Sequence, residues 1–73
     1  MPHIDIKVLE GVFNDTEKER ILLDLIAAFG KAAGGNFKEN TSAKIIEIKS
    51  GSWASGDQIF RTEFGLAIKN DKS

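Results

Sequence analysis

The stretch Met1-Pro2-His3-Ile4-Asp5-Ile6-Lys7-Val8-Leu9-Glu10-Gly11 decides how the rest of the chain is read. Pro2, Ile4, Ile6 and Val8 alternate with His3, Asp5 and Lys7, the two-residue period of a strand with one apolar and one polar face. Leu9 breaks the alternation with an apolar residue on the polar side, and Gly11 marks the exit. Proline is tolerated as the first residue of a strand, where its missing N–H costs no ladder bond. Pro2 is the single proline of the chain and stands directly behind the initiator methionine. Methionine is readily trimmed ahead of a small second residue. Its removal leaves a secondary amine, which no other residue type provides.

Beyond the strand, Asn14-Asp15 or Thr16 supplies a helix N-cap. The pairs Asn14/Glu17 and Thr16/Glu19 both have the capping-box offset. From Glu17 to about Ala33 the pattern is helical, with Leu22, Ile26, Phe29 and Ala33 on one stripe, widened by Ile21, Leu25, Ala28 and Ala32. Acidic residues in the first turn and Lys31 near the end suit the helix dipole, and Gly34-Gly35 stops the run. A face this wide implies a helix lying across a sheet. After a polar loop, Asn36 to Ser42, the run Ala43 to Ile48 reads as a second strand. Ser42 reads as a turn or cap residue. Two strands joined by one helix make a βαβ unit, parallel and right-handed if the strands are adjacent. Ser50 to Gly56 reads as a small-residue loop around Trp53. The tail fits a helix capped by Asp57, with Phe60, Phe64, Ala67 and Ile68 on one face. Alternation of Phe60, Thr62, Phe64, Leu66 and Ile68 keeps a strand open there.

The chain has 73 residues and no cysteine, so it is read as one domain, 1–73, without a disulfide or thiolate metal site. Domains this small usually need a staple or a partner, and self-association is the expected one. A two-stranded sheet points the same way. Ten basic residues against eleven acidic ones give no basic stripe for nucleic acid. No apolar run approaches the ~20 residues of a membrane span, and no signal-peptide core opens the chain. The expectation is therefore a cytoplasmic protein. His3 and Asp5 share a strand face, but with no third ligand they read as a surface pair and no metal is expected. Gly51 and Gly56 lack the Lys-Ser/Thr of a phosphate loop. No serine or cysteine nucleophile with a base is expected.

The Pro-His-Ile-Asp-Ile-Lys opening, the Leu9-Glu10-Gly11 exit, the capped amphipathic helix and a second strand opening Thr41-Ser42 resemble the 4-oxalocrotonate tautomerase family. The likeness is greatest to its small phenylpyruvate-type members. It covers Pro2 to about Ile48 and fades past Trp53. It implies an α/β protomer of βαβ form, two of which make a four-stranded sheet with two helices on one face, as a dimer or in a hexamer. It further implies a cofactor-independent isomerase whose amino-terminal proline, Pro2 after loss of Met1, is the general base for keto-enol proton transfer on a small enol or 2-oxo acid.

The physical chemistry of such a base is plain. An α-amino group titrates near ~7.7–8.0, and apolar neighbours or a nearby cation favour its neutral form. On the resemblance, Lys44 stands where the namesake enzymes carry an arginine that polarises the substrate carbonyl; it keeps the charge and loses the bidentate fork. Trp53 falls about where they place a pocket-lining aromatic. Val12 replaces an arginine that grips the distal carboxylate of a diacid, which favours a monoacid enol. Arg61 is a candidate substitute cation for substrate binding. Two rivals share the scaffold. One is a hydratase-like lyase, a dehalogenase or decarboxylase, with protonated Pro2 and Glu47 as the only acid in the second strand. The other is a non-catalytic oligomeric interaction module, whose sign would be a retained Met1, because acylated proline is not basic.

Overall fold

A computed structural model describes residues 1–71 of the chain. Strand β1 (His3–Leu9) is followed by helix α1 (Asp15–Ala33) and strand β2 (Ser42–Ile48). β1 and β2 pair in parallel, with His3 opposite Ser42, Asp5 opposite Lys44 and Leu9 opposite Ile48. The fold is thus a small α+β arrangement whose first two-thirds is compatible with a βαβ unit. Parallel pairing follows from the long helical connection, which no tight hairpin could replace.

Asn14 is the cap that α1 uses. Its side chain accepts the Glu17 N–H at 2.8 Å, while the Glu17 carboxylate accepts the Asn14 N–H at 2.9 Å. At the other end Gly34, with φ of 83°, ends the helix and donates to the Gly30 carbonyl. Gly30 is required for another reason. A Cβ there would stand 2.6 Å from Lys38 Cβ, so only glycine lets the turn after α1 fold back against the helix. Phe37 in that turn meets Phe29 edge-on.

One sheet face turns toward α1. An ion pair of 3.0 Å between Lys18 of α1 and Glu47 of β2 identifies it. By alternation Ile4, Ile6, Val8, Ala43 and Ile45 share that face, and all five are half-buried. The opposite face carries His3, Asp5, Lys7, Leu9, Ser42, Lys44, Ile46 and Ile48.

The tail differs from the sequence expectation. Trp53 lies in a strand, β3 (Trp53–Ser55), paired antiparallel to β4 (Gln58–Phe60), and the helix α2 starts only at Thr62 (Thr62–Lys69). Asp57 is part of the hairpin turn beside Gly56, whose φ is 58°. The cap of α2 is non-local: Arg61 makes no side-chain cap bond, and Ser50 Oγ accepts the Thr62 N–H at 2.9 Å. Ser42, expected in a turn, is the first residue of β2 because its N–H donates to the Pro2 carbonyl at 3.1 Å.

α2 docks on the corner that follows β1. Thr62 Oγ1 donates to the Glu10 carbonyl at 2.8 Å, and Lys69 Nζ donates to the Val12 carbonyl at 2.9 Å and to Glu17 at 2.7 Å. Val12 is caught between, 6% exposed. Among the described residues only Leu9 and Val12 are buried hydrophobics, while Leu23, Ile59 and Ile68 stay largely exposed. The radius of gyration is 14.5 Å, against ~11 Å for a compact chain of this length. The single chain therefore leaves much of its apolar surface wet.

Candidate active site

Pro2 heads β1, half-buried, with its carbonyl fixed by the Ser42 N–H. Met1 before it is 91% exposed, so its removal costs no packing. Lys44 is exposed on β2 opposite Asp5. That is three residues along from Pro2, or about 10 Å at ~3.3 Å per residue. Among the described residues no ion pair or hydrogen bond engages its ammonium group. Pro2 and Lys44 thus share one end of the sheet. The side chains alternate to opposite faces, but the Pro2 nitrogen, which loss of Met1 would free, is a main-chain atom at the sheet's end.

Trp53 lies at the other end. With Lys7, Ile48 and Ser52 it lines an open cleft of about 240 Å³ on the face away from α1. Lys7 is five residues from Pro2, so about 16 Å of strand at ~3.3 Å per residue separates Trp53 from the proline. Its indole meets Phe60 edge-on at 5.8 Å, and Phe60 stacks on Phe64 at 5.2 Å, so the aromatic is held from behind. Arg61 belongs to this end as well. Its Nη1 lies 3.0 Å from where a Gly51 Cβ would stand. The chain therefore places Pro2 and Lys44 toward one end of the sheet, about 10 Å apart along the strands, and Trp53 with Arg61 at the other, and does not join the two halves.

Two positions are settled by packing. Val12 is buried against Gly65 of α2, where a Cβ would come within 2.5 Å of its Cγ2. The cation at this corner is Lys69, already paired with Glu17. Glu47 faces α1 and pairs with Lys18, away from the face of Lys44. Glu17's carboxyl is held below its ordinary value, first by the Lys69 hydrogen bond and then by the Asn14 N–H.

Sequence reasoning missed a further cluster. His3 Nδ1 lies 2.7 Å from Ser42 Oγ, and His3 Nε2 is hydrogen-bonded to the Asp5 carboxylate. A serine beside a base is thus assembled after all. The His3-Asp5 spacing was visible, but Ser42 joins them only through the β1–β2 register. Among the described residues no group of three or more His, Asp or Glu side chains is placed to hold a metal ion, and no helix is long and apolar enough to cross a membrane. The chain matches no protein-family model, no curated protein and no solved structure.

Proposed function

We propose that the chain works as a homo-oligomeric, cofactor-independent tautomerase of the 4-oxalocrotonate tautomerase type, acting on a small monoacid enol or 2-oxo acid. The observation that carries the reading is Pro2 at the head of β1, its carbonyl pinned by Ser42, with an uncommitted Lys44 ammonium group at the same end of the sheet, about 10 Å along the strands. After Met1 is removed, the Pro2 nitrogen takes the enol hydroxyl proton and delivers a proton to the far carbon of the enol double bond, as the oxygen-bearing carbon becomes the carbonyl. The net change is isomerisation alone. Lys44 holds the substrate carboxylate or the oxygen on which charge develops, a role worth most in a water-poor site.

That dryness has to come from a second copy. Pro2 and Lys44 occupy one end of the sheet, Trp53 and Arg61 the other. A two-fold axis that pairs free strand edges antiparallel sets each protomer's Pro2 end beside the partner's aromatic end. The same pairing extends a sheet that is too narrow to be stable by itself. Burial of Val12 beneath α2 removes that position as a grip for a distal carboxylate, which supports a monoacid over a dienedioate.

The test is ketonisation of an aryl enolpyruvate. Replacing Pro2 with alanine should lower the rate ~10²–10⁴-fold, the usual worth of a positioned general base. Wild-type rate in that variant would end the proposal. The pH profile separates the lyase reading. A tautomerase loses rate as Pro2 protonates, whereas a hydratase-like lyase needs the protonated proline. The pairing of Glu47 with Lys18 on the α1 face also weighs against that rival.

A further inference from the structure

The face of the sheet turned away from α1 carries a hydrogen-bonded chain that proton transfer at Pro2 does not use. His3 and Ser42 are register partners at the starts of β1 and β2, so their side chains stand side by side. Ser42 Oγ is 2.7 Å from His3 Nδ1, and His3 Nε2 is hydrogen-bonded to Asp5. The order hydroxyl, imidazole, carboxylate is what an activated serine requires: a base within reach of the hydroxyl and a third group orienting the base. With its proton on Nε2, donating to Asp5, the neutral ring offers the Nδ1 lone pair to the Ser42 hydroxyl. Such a relay is recognised by geometry and roles rather than by position in the chain.

Two more features make the cluster usable. In the single chain the His3 and Asp5 side chains are 42% and 45% exposed, on the sheet face that α1 leaves uncovered. Lys44 stands two residues along β2 from Ser42, on the same face and opposite Asp5, where a cation can meet a developing oxyanion. With the relay this accessible, substrate choice falls to reactivity and lack of steric bulk rather than to fit.

We propose that Ser42 is a nucleophile for acyl transfer from small, unhindered carboxylic esters to water. Ser42 Oγ attacks the carbonyl carbon as its proton passes to His3 Nδ1. The tetrahedral oxyanion, facing Lys44, collapses. The bond to the alcohol oxygen breaks, and the departing alcohol takes the proton from His3. Water then gives a proton to His3 Nδ1 and attacks the acyl-Ser42 carbonyl. The carboxylic acid leaves and the proton returns to Ser42. Asp5 is a positioning residue that holds the imidazole and stabilises its charged form.

The experiment uses p-nitrophenyl acetate on the full chain, with an acid quench, intact mass and peptide mapping. The expected result is a burst of p-nitrophenolate approaching one equivalent, with the acetyl group on Ser42 and none on Ser50, Ser52 or Ser55. Replacing His3 with glutamine should slow the burst by ~100-fold or more, the lower end of what a general base contributes. Acetyl groups only on the amino terminus, lysines or His3 would overturn the proposal, as would no acetylation at all. An undiminished burst in the His3→Gln variant would overturn it too. Mapping on the wild-type chain decides the nucleophile even where a variant folds poorly.

Discussion

Replacing Gly65 with alanine should destabilise the protein, although the same change in an ordinary helix stabilises it. Gly65 lies inside α2, where alanine would normally gain ~0.8–1 kcal/mol from helix propensity. Here the added Cβ would stand 2.5 Å from Val12 Cγ2, and Val12 is one of the two buried hydrophobics among the described residues. Forcing a methyl group into occupied space costs ~1–3 kcal/mol. The balance runs from near zero to a loss of ~2 kcal/mol, with α2 pushed off the Glu10–Phe13 corner. A double-mutant cycle isolates the contact. In a Val12→Ala background the clashing Cγ2 is gone, and the nearest remaining Val12 atom, Cβ, is at an ordinary 3.6 Å. Gly65→Ala should there recover its helix gain, giving a coupling of ~1–3 kcal/mol. The assay is urea unfolding followed by Trp53 fluorescence and circular dichroism at one protein concentration, because self-association shifts the midpoint. A gain of ~1 kcal/mol from Gly65→Ala with Val12 in place would refute the packing of α2 described above.

Three further outcomes are expected. The thermal midpoint should rise with protein concentration, and sedimentation equilibrium should show a dimer or larger, because among the described residues of a single chain the buried hydrophobics are only Leu9 and Val12; a concentration-independent monomer would contradict this. Glu17's carboxyl titrates below its ordinary value because Lys69 and then the Asn14 N–H bond it. Its contribution to stability is therefore full above the usual carboxylate range near pH ~4 and is lost as pH falls through the lowered value. Urea midpoints against pH should show that loss, and Glu17→Gln should flatten it. Finally, Lys44→Ala should reduce enol ketonisation ~10²–10³-fold while Lys44→Arg retains most of it; equal rates in both would remove Lys44 from the site.

The sequence made β1, α1 and β2 legible because each is specified locally. Alternation marks β1, a capping box at Asn14 and Glu17 starts α1, and Gly34-Gly35 ends it. The tail was hidden because its determinants lie elsewhere in the chain. α2 takes its cap from Ser50, twelve residues before Thr62. The three-residue strands β3 and β4 are too short to show a period, and the Gly56-Asp57 turn between Trp53-Ala54 and Ile59-Phe60 was the available hairpin signal. Pro2, Lys44, Trp53 and Arg61 could be named from the sequence, but not their division between opposite ends of the sheet. That division follows from strand direction and from how the hairpin folds back. Register likewise hid the Ser42-His3-Asp5 chain, since no spacing along the sequence says which residue of β2 stands beside His3.

The central claim is that a free Pro2 amine is the base. It is tested most directly by comparing two forms of the same chain, one with Met1 removed and one with Met1 retained, each verified by intact mass. Both should fold alike, because Met1 is 91% exposed and packs against little. Aryl enolpyruvate ketonisation is predicted for the trimmed form alone, since retained methionine turns the Pro2 nitrogen into a non-basic amide. Equal rates in the two forms, or no rate in the trimmed one, would contradict the account.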